Sequence, residues 1–159
     1  MARKKVVIPR QRSGSYYVNG QINGKSVSFH VDTGASIVAI SGDTARHLGI
    51  EVDSENTRVG QTAGGKIHYF TVNLDKVSVG YGENTIIRTN VIGGVLPEME
   101  GVHVLLGMSF LGDEIDFMQD DDTLIIYDDS STDIAENSRL EKPLDRPTTS
   151  RMDSIKVRI

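Results

Sequence analysis

The sequence predicts a single, mainly β domain built as a sandwich or barrel, with one or two short helices. Many short β-rich runs follow one another at intervals of about 8–12 residues, with turn residues between them, which is typical of sandwiches and barrels. The 159 residues correspond to about one domain. We find no internal repeat that would indicate a second, duplicated lobe.

The first elements predict a β-hairpin followed by a polar loop. Two β-rich runs, residues 16–18 and 27–31, flank Asn23-Gly24. Asn-Gly is a strong hairpin signal because both residues accept a positive φ. The polar and small residues 32–36 then form a turn, and residues 37–40 are typical of a buried strand. A loop therefore lies between two strands.

A short helix and a long hairpin are expected next. Ser41 can cap a helix over residues 42–48, since its hydroxyl can accept an orphan backbone N–H, and Gly49 is suited to end it. The runs 57–62 and 66–70 then predict a polar hairpin whose tip is Ala63-Gly64-Gly65.

The second half of the chain continues this strand pattern. One further helical turn is expected over residues 108–112. Turns are expected at Gly80, at Gly93-Gly94 and over residues 120–122. The strands are predicted at residues 74–79, 85–92, 103–106, 114–118 and 123–127.

The two ends of the chain differ from the middle. Residues 1–13 form a basic N-terminal arm that contains the short apolar run 6–8. Residues 129–159 form a polar tail rich in Asp, Ser, Thr and Pro, for which we expect mobility. The tail ends in an alternating apolar and polar pattern over residues 154–159, which is typical of a strand.

The composition excludes several classes of protein. Without any Cys, the chain cannot form a disulfide scaffold, a thiol nucleophile or a cysteine-ligated metal site. Its four His residues are scattered without metal-ligand spacing, so we expect no metal and no cofactor. The longest apolar runs are far shorter than the ~20 residues of a membrane-spanning helix, and we find no export signal. A net charge of −5 argues against nucleic acid as a partner.

Asp32 is the strongest candidate for chemistry. It ends a β-rich run and is followed by Thr33 and Gly34, whose hydroxyl and backbone N–H groups can bond and orient a carboxylate. The structural alternative is an Asx-turn that merely ends the strand. The context favours chemistry, because Asp-Thr-Gly lies between two apolar strands and the apolar-apolar-Gly pattern returns at residues 105–107.

Three stretches in this order resemble the retropepsin-like aspartic peptidases, particularly their single-domain bacterial group. They are residues 29–36, residues 45–49 and residues 105–111. The resemblance covers about residues 14–128, which we take as the peptidase domain. It implies a single-lobe retropepsin-like acid protease barrel and a homodimeric endopeptidase that acts on peptide or protein substrates.

The resemblance also implies roles for individual residues. Asp32 is the expected catalytic residue. Thr33, Gly34, Ala35 and Gly107 are expected to support the active-site loop. The tip Ala63-Gly64-Gly65 is the expected flap over a bound peptide. His30 has no role that the sequence explains.

The expected chemistry needs a second aspartate. In aspartic proteases two carboxylates about 3 Å apart share one proton, and one activates water while the other protonates the amide. No other Asp-Thr or Asp-Ser pair in this chain is followed by Gly. A two-fold dimer would place Asp32 opposite its own copy. In viral relatives the chain ends form a sheet between subunits, so residues 6–8 and 155–159 are candidate strands for it; a disordered tail is the alternative.

Two questions stay open at the level of sequence. A non-catalytic dimerisation or peptide-binding module could keep the same fold and the same Asp-Thr-Gly, because a fold does not determine a function. The chain alone indicates a cytoplasmic location, whereas bacterial relatives commonly carry a membrane anchor, which would place the protein at the membrane or in the periplasm.

Overall fold

The computed structural model describes residues 3–101, 104–112, 115–120 and 122–128. These residues form ten strands, two short α-helices and a 3₁₀ turn at Gly82–Asn84. In chain order the elements are β1 (Lys4–Pro9), β2 (Tyr17–Ile22), β3 (Lys25–Val31), β4 (Val38–Ser41), α1 (Gly42–Leu48), β5 (Thr57–Thr62), β6 (Gly65–Val79), β7 (Ile86–Leu96), β8 (Val104–Leu106), α2 (Met108–Leu111), β9 (Ile115–Asp120) and β10 (Thr123–Asp128).

Six of the strands close into a barrel, which confirms the predicted fold class. They pair in the order β2-β3-β8-β4-β7-β6, and β2 also pairs with β6, so that the sheet has no edge there. The strand β5 pairs with β6 outside this ring. The interior is filled by buried apolar side chains, among them Phe29, Ile40, Leu74, Ile86 and Leu106.

The two local predictions with the clearest turn chemistry are confirmed. Asn23 and Gly24 have φ values of 50° and 84°, as a tight hairpin between β2 and β3 requires. The helix α1 begins after Ser41, whose hydroxyl accepts from the backbone N–H of Thr44, and it ends at Gly49 with a left-handed conformation.

The Gly93-Gly94 pair does not form the predicted turn. Both residues lie inside β7, where Gly93 pairs with Val38 and Gly94 with Ala39. A β-carbon on Gly94 would lie 2.5 Å from Cδ1 of Ile37 and 2.8 Å from the ring of Tyr69. Glycine here serves close packing rather than a change of direction.

Two other boundaries also differ from the prediction. The expected strands 66–70 and 74–79 are one continuous strand, β6. Gly65, expected within the tip of the hairpin, is the first residue of that strand. The polar residues Thr71 and Asn73 suggested an interruption between two strands, but both pair with β7.

A second sheet of three strands, in the order β1-β10-β9, lies beside the barrel. Residues 4–9, assigned by sequence to an arm, pair along their whole length with β10 of the same chain. Val6 and Ile8 are buried in the main core. The strand expected at residues 6–8 is therefore present, and it forms an edge of this three-stranded sheet. The tail 129–159, including the strand expected at 155–159, lies outside the described residues.

An ion pair connects this sheet to the barrel. The guanidinium of Arg88 on β7 donates to both carboxylate oxygens of Asp128 on β10, at 2.8 Å and 3.2 Å. The Asp128 side chain is 3% exposed. Among the described residues, no helix is long and apolar enough to cross a membrane.

Candidate active site

Asp32 directly follows β3 and is held by hydrogen bonds on both sides. Its backbone N–H donates to the carbonyl of Leu106 at 3.1 Å, and its own carbonyl accepts from the N–H of Ala35 at 3.1 Å. Its Oδ1 accepts from the backbone N–H of Gly34 at 3.0 Å. The carboxylate is thus oriented by its own loop, yet the residue is only half-buried.

The hydrogen bond from the Gly34 N–H to Asp32 Oδ1 closes an Asx-turn, which is the structural alternative considered for this residue, and the same bond orients the carboxylate. An Asx-turn leaves the second carboxylate oxygen outside the turn. Thr33 lies between the two residues and is exposed. The loop therefore presents one oriented carboxylate and an exposed hydroxyl at the surface.

Gly107 lies directly beneath this loop. A β-carbon on Gly107 would overlap the carbonyl oxygen of Ile37 and lie 2.8 Å from that of Ala35. The next residue, Met108, donates its backbone N–H to the carbonyl of Ala35 at 2.8 Å. Ala35 is fully buried. The structure thus brings Asp32, Thr33, Gly34, Ala35 and Gly107 together, with the junction of β8 and α2 as the base of the loop.

Ser109 is a positioning residue that the sequence did not reveal. Its hydroxyl accepts from the backbone N–H of Val38 at 2.9 Å and donates to the carbonyl of Ile92 at 2.6 Å. It thereby joins α2 to the start of β4 and to β7. The sequence signal was weak: a Ser within an apolar run must satisfy its hydroxyl somewhere, but its partners lie 71 and 17 residues away.

His30, for which the sequence indicated no role, stacks on Tyr17. Their ring centroids lie 5.0 Å apart at an interplanar angle of 26°. The two residues are direct cross-strand neighbours on β2 and β3. His30 is also paired in parallel register with Leu105 of β8. An aromatic pair therefore lies two residues before Asp32.

The expected flap is a two-stranded extension formed by β5 and β6. At its tip Thr62 Oγ1 donates to the carbonyl of Gly65 at 2.9 Å and accepts from the N–H of Gly64 at 3.1 Å. Gly65 has a φ of 118°, a conformation that favours glycine. Ala63 and Gly64 are exposed. The tip is thus closed by its own hydrogen bonds and projects into solvent.

The root of this hairpin packs next to the Asp32 loop. Tyr69 and Ile37 belong to one small apolar cluster, against which Ile67 also packs. Ile37 follows the loop in sequence, so β6 and the loop share a packing partner. The structure places the hairpin tip in a separate element from Asp32, but it anchors both to the same cluster.

The site contains no evident metal centre. Within the parts of the chain that are described, no group of three or more His, Asp or Glu side chains is arranged to hold a metal ion.

Comparison with known proteins gives three kinds of match. A family model described as a gag-polyprotein putative aspartyl protease matches residues 18–113. The crystal structure of a retropepsin-like aspartic protease from Rickettsia conorii superposes with a TM-score of 0.63 at 33% identity, covering 76% of this chain and 97% of that chain. An uncharacterised protein from Sinorhizobium sp is 32% identical over 110 residues, and one from Rickettsia prowazekii (strain Madrid E) is 34% identical over 122 residues.

The two curated relatives are longer than the region they share with this chain. The matches cover 69% and 76% of this chain, but 46% and 50% of the relatives. The chain thus spans about half the length of the curated relatives that it matches.

Proposed function

This chain belongs to the retropepsin-like aspartic protease family, and on that basis we propose that it is an endopeptidase whose active site forms between two copies of the chain. Each copy contributes Asp32, and the two carboxylates share one proton. One carboxylate takes a proton from a water molecule that attacks the scissile carbonyl, while the other gives its proton to the amide.

The observation that carries this proposal is the set of hydrogen bonds and packing contacts that hold Asp32 in place. Two backbone bonds, from Asp32 to Leu106 and from Ala35 to Asp32, fix the loop, while the Gly34 N–H orients the carboxylate. A residue needed only to end a strand would not require a second element, the β8–α2 junction, packed against its loop at van der Waals distance. These contacts around Asp32 support the preorganisation of a reacting group.

The need for a second copy follows from the chemistry and the sequence together. The mechanism uses two carboxylates, and Asp32 is the single Asp in the chain that is followed by Thr-Gly or Ser-Gly. A two-fold axis beside Asp32 would supply the second one. In this arrangement Thr33 braces the two loops, and Ala63, Gly64 and Gly65 cover the bound peptide as a flap.

The first test replaces Asp32 by Asn and measures cleavage of reduced, alkylated serum albumin at mildly acidic pH. We expect cleavage to be lost while the circular dichroism spectrum and thermal midpoint stay unchanged, because the residue is half-buried and Asn keeps its shape. Asp43→Asn is the matched control, since Asp43 is also followed by Thr but lies exposed on α1.

The second test mixes wild-type protein with the Asp32→Asn variant. If the active site needs one Asp32 from each copy, an equal mixture keeps about one quarter of the specific activity of the wild type at the same total concentration, since copies combine at random. Independent monomers would keep about one half under the same arithmetic.

The results also distinguish the peptidase from the non-catalytic alternative. Cleavage that persists in the Asp32→Asn variant would refute the proposed mechanism. A wild-type chain that dimerises in sedimentation but cleaves nothing over a pH series would instead support a retropepsin-fold binding module.

A further inference from the structure

The outer face of the β2–β3 hairpin carries no permanently charged side chain. Alternate residues of the hairpin point into the barrel, among them Val18, Ile22 and Phe29. Lys and Arg with Asp and Glu make up 25% of the whole chain, yet none occupies the outward positions. The outer face consists of three directly opposed pairs: Tyr17 with His30, Asn19 with Ser28, and Gln21 with Ser26.

This outer face begins next to the candidate catalytic residue. His30 is two residues before Asp32 on the same strand, and the pairs then follow one another away from it. Side chains two residues apart on a strand lie about 6.8 Å from each other. Ser26, six residues before Asp32, is therefore about 20 Å from it along the strand. A peptide lying along the face would extend about six residues beyond the active site.

The far end of the outer face opens into a cleft of about 370 Å³. Gln21, Ser26, Ser78 and Tyr81 contribute to its lining. Tyr81 is 88% exposed, more than any other large hydrophobic residue that the structure describes. Among the described residues that line this cleft, none is Asp, Glu, Lys or Arg.

The backbone that carries Tyr81 is held on both sides. The N–H of Gly80 donates to the carbonyl of Asn19 at 3.0 Å. The N–H and the hydroxyl of Thr85 both donate to the carbonyl of Gly82, at 3.2 Å and 2.9 Å. The exposed ring is thus presented from a fixed turn, which lowers the entropy cost of binding to it.

The polar side chains of the face retain their hydrogen-bonding capacity. Within the described part of the chain, the side chains of Asn19, Gln21 and Ser26 form no hydrogen bond. A carboxamide has both donors and acceptors, as a peptide group has. Asn19 and Gln21 are two residues apart, which is also the repeat of an extended peptide, so each can bond successive peptide groups on one side of a bound chain.

We propose that the outer face of the β2–β3 hairpin and the cleft at Tyr81 together form a docking site for an extended, uncharged segment of a protein substrate. This inference rests on the proposed peptidase function and adds a second contact beyond the residues around the scissile bond. The site selects against charged segments because its polar groups are neutral and a charge would lose hydration without gaining an ionic partner.

The experiment compares substrates that differ only outside the cleaved region. A cleaved octapeptide, identified from the albumin digest, is extended on either side by eight residues of Ser, Asn, Gln, Gly and Tyr, or by eight alternating Lys and Glu. For the wild type we expect the uncharged extension on one side to lower KM about fivefold with kcat unchanged, a gain equal to about one net hydrogen bond.

Variants of the face should remove that gain. Gln21→Lys and Tyr81→Ala are expected to raise KM for the extended peptide to that of the octapeptide, while cleavage of the octapeptide is unaffected. Gln119→Lys and Met118→Ala are matched controls, because both residues are exposed on β9. An extension effect that is equal in Gln21→Lys and wild type, or equal for charged and uncharged extensions, would overturn the docking site.

A binding measurement separates this inference from the peptidase function. The 159-residue chain with Asp32→Asn is titrated against the fluorescein-labelled uncharged extension, and binding is read by anisotropy. Binding that Gln21→Lys weakens and Gln119→Lys does not would support the site even if the wild type cleaved nothing. Binding that neither Gln21→Lys nor Tyr81→Ala weakens would refute it.

Discussion

Gly107 packs against the carbonyl group of Ile37 so closely that a β-carbon on Gly107 would overlap that oxygen. This contact joins the stretch 105–111 to the residue that directly follows the stretch 29–36. Asp32 lies five residues before Ile37, and Leu106, which accepts the Asp32 N–H, lies one residue before Gly107. The position of the carboxylate therefore depends on a residue that has no side chain.

We predict that Gly107→Ala destabilises the fold and abolishes cleavage. The added methyl group must displace backbone rather than a mobile side chain, for which overpacking costs about 1–3 kcal/mol. Urea unfolding measures the loss of stability. Gly64→Ala is the control for stability, because a β-carbon there would lie 3.8 Å from its nearest neighbour, Thr62 Oγ1. Equal stability of the two variants would contradict the packing described here.

We predict that Ser109→Ala weakens both stability and activity. The substitution leaves the N–H of Val38 and the carbonyl of Ile92 without the hydroxyl that joins them. Unpaired buried polar groups cost about 1–3 kcal/mol. Urea unfolding and the kcat of peptide cleavage test the two effects. Ser28→Ala, on an exposed strand position, should leave the urea midpoint where it is in the wild type.

We predict that Asp128→Asn lowers the stability of the fold more than Asp116→Asn does, because the first removes a buried ion pair and the second an exposed one. The substitution removes the negative charge that the Arg88 guanidinium, 17% exposed, contacts at 2.8 Å, and breaking a buried pair costs about 3–5 kcal/mol. Asp116→Asn removes the ion pair between Arg3 and an Asp side chain that is 66% exposed, where about 0–1 kcal/mol is expected. Thermal unfolding in low salt compares the two, and similar losses would disprove the difference.

We predict that Ser41→Ala lowers stability without changing peptide cleavage. Ser41 is fully buried. Its hydroxyl accepts a hydrogen bond from the N–H of Thr44 and donates one to the Thr44 hydroxyl. Loss of a helix N-cap costs about 1 kcal/mol. Chemical unfolding and kcat/KM for the octapeptide are the two readouts. If kcat/KM changes although the Ser41→Ala variant is fully folded, α1 contributes to the active site.

Local turn chemistry explains why several elements could be predicted well. The Asn23-Gly24 hairpin and the Ser41-capped helix are determined by residues within a few positions of each other. The Asp32 loop is of the same kind, because its bond from Gly34 spans two residues. Such signals survive in the sequence, since they need no knowledge of distant partners.

Distant pairing explains the predictions that were wrong. Gly93-Gly94 has the composition of a turn, but Ile37 and Tyr69 need the space that its missing side chains leave. A strand was expected at residues 6–8 of the N-terminal arm, but its partner β10 lies more than 110 positions later in the chain and was not foreseen. No local pattern distinguishes these cases.

The sequence by itself determined the mainly β class, the hairpins, the short helices and the identity of the candidate catalytic residue. Only the tertiary structure decided what surrounds Asp32: Gly107 beneath its loop, Ser109 between two strands, and His30 stacked on Tyr17. The physical reason is the distance in sequence between the residues that interact. Turns and caps are made by neighbours in the chain. The surroundings of Asp32 are made by residues that are distant in sequence and that the closed barrel brings together.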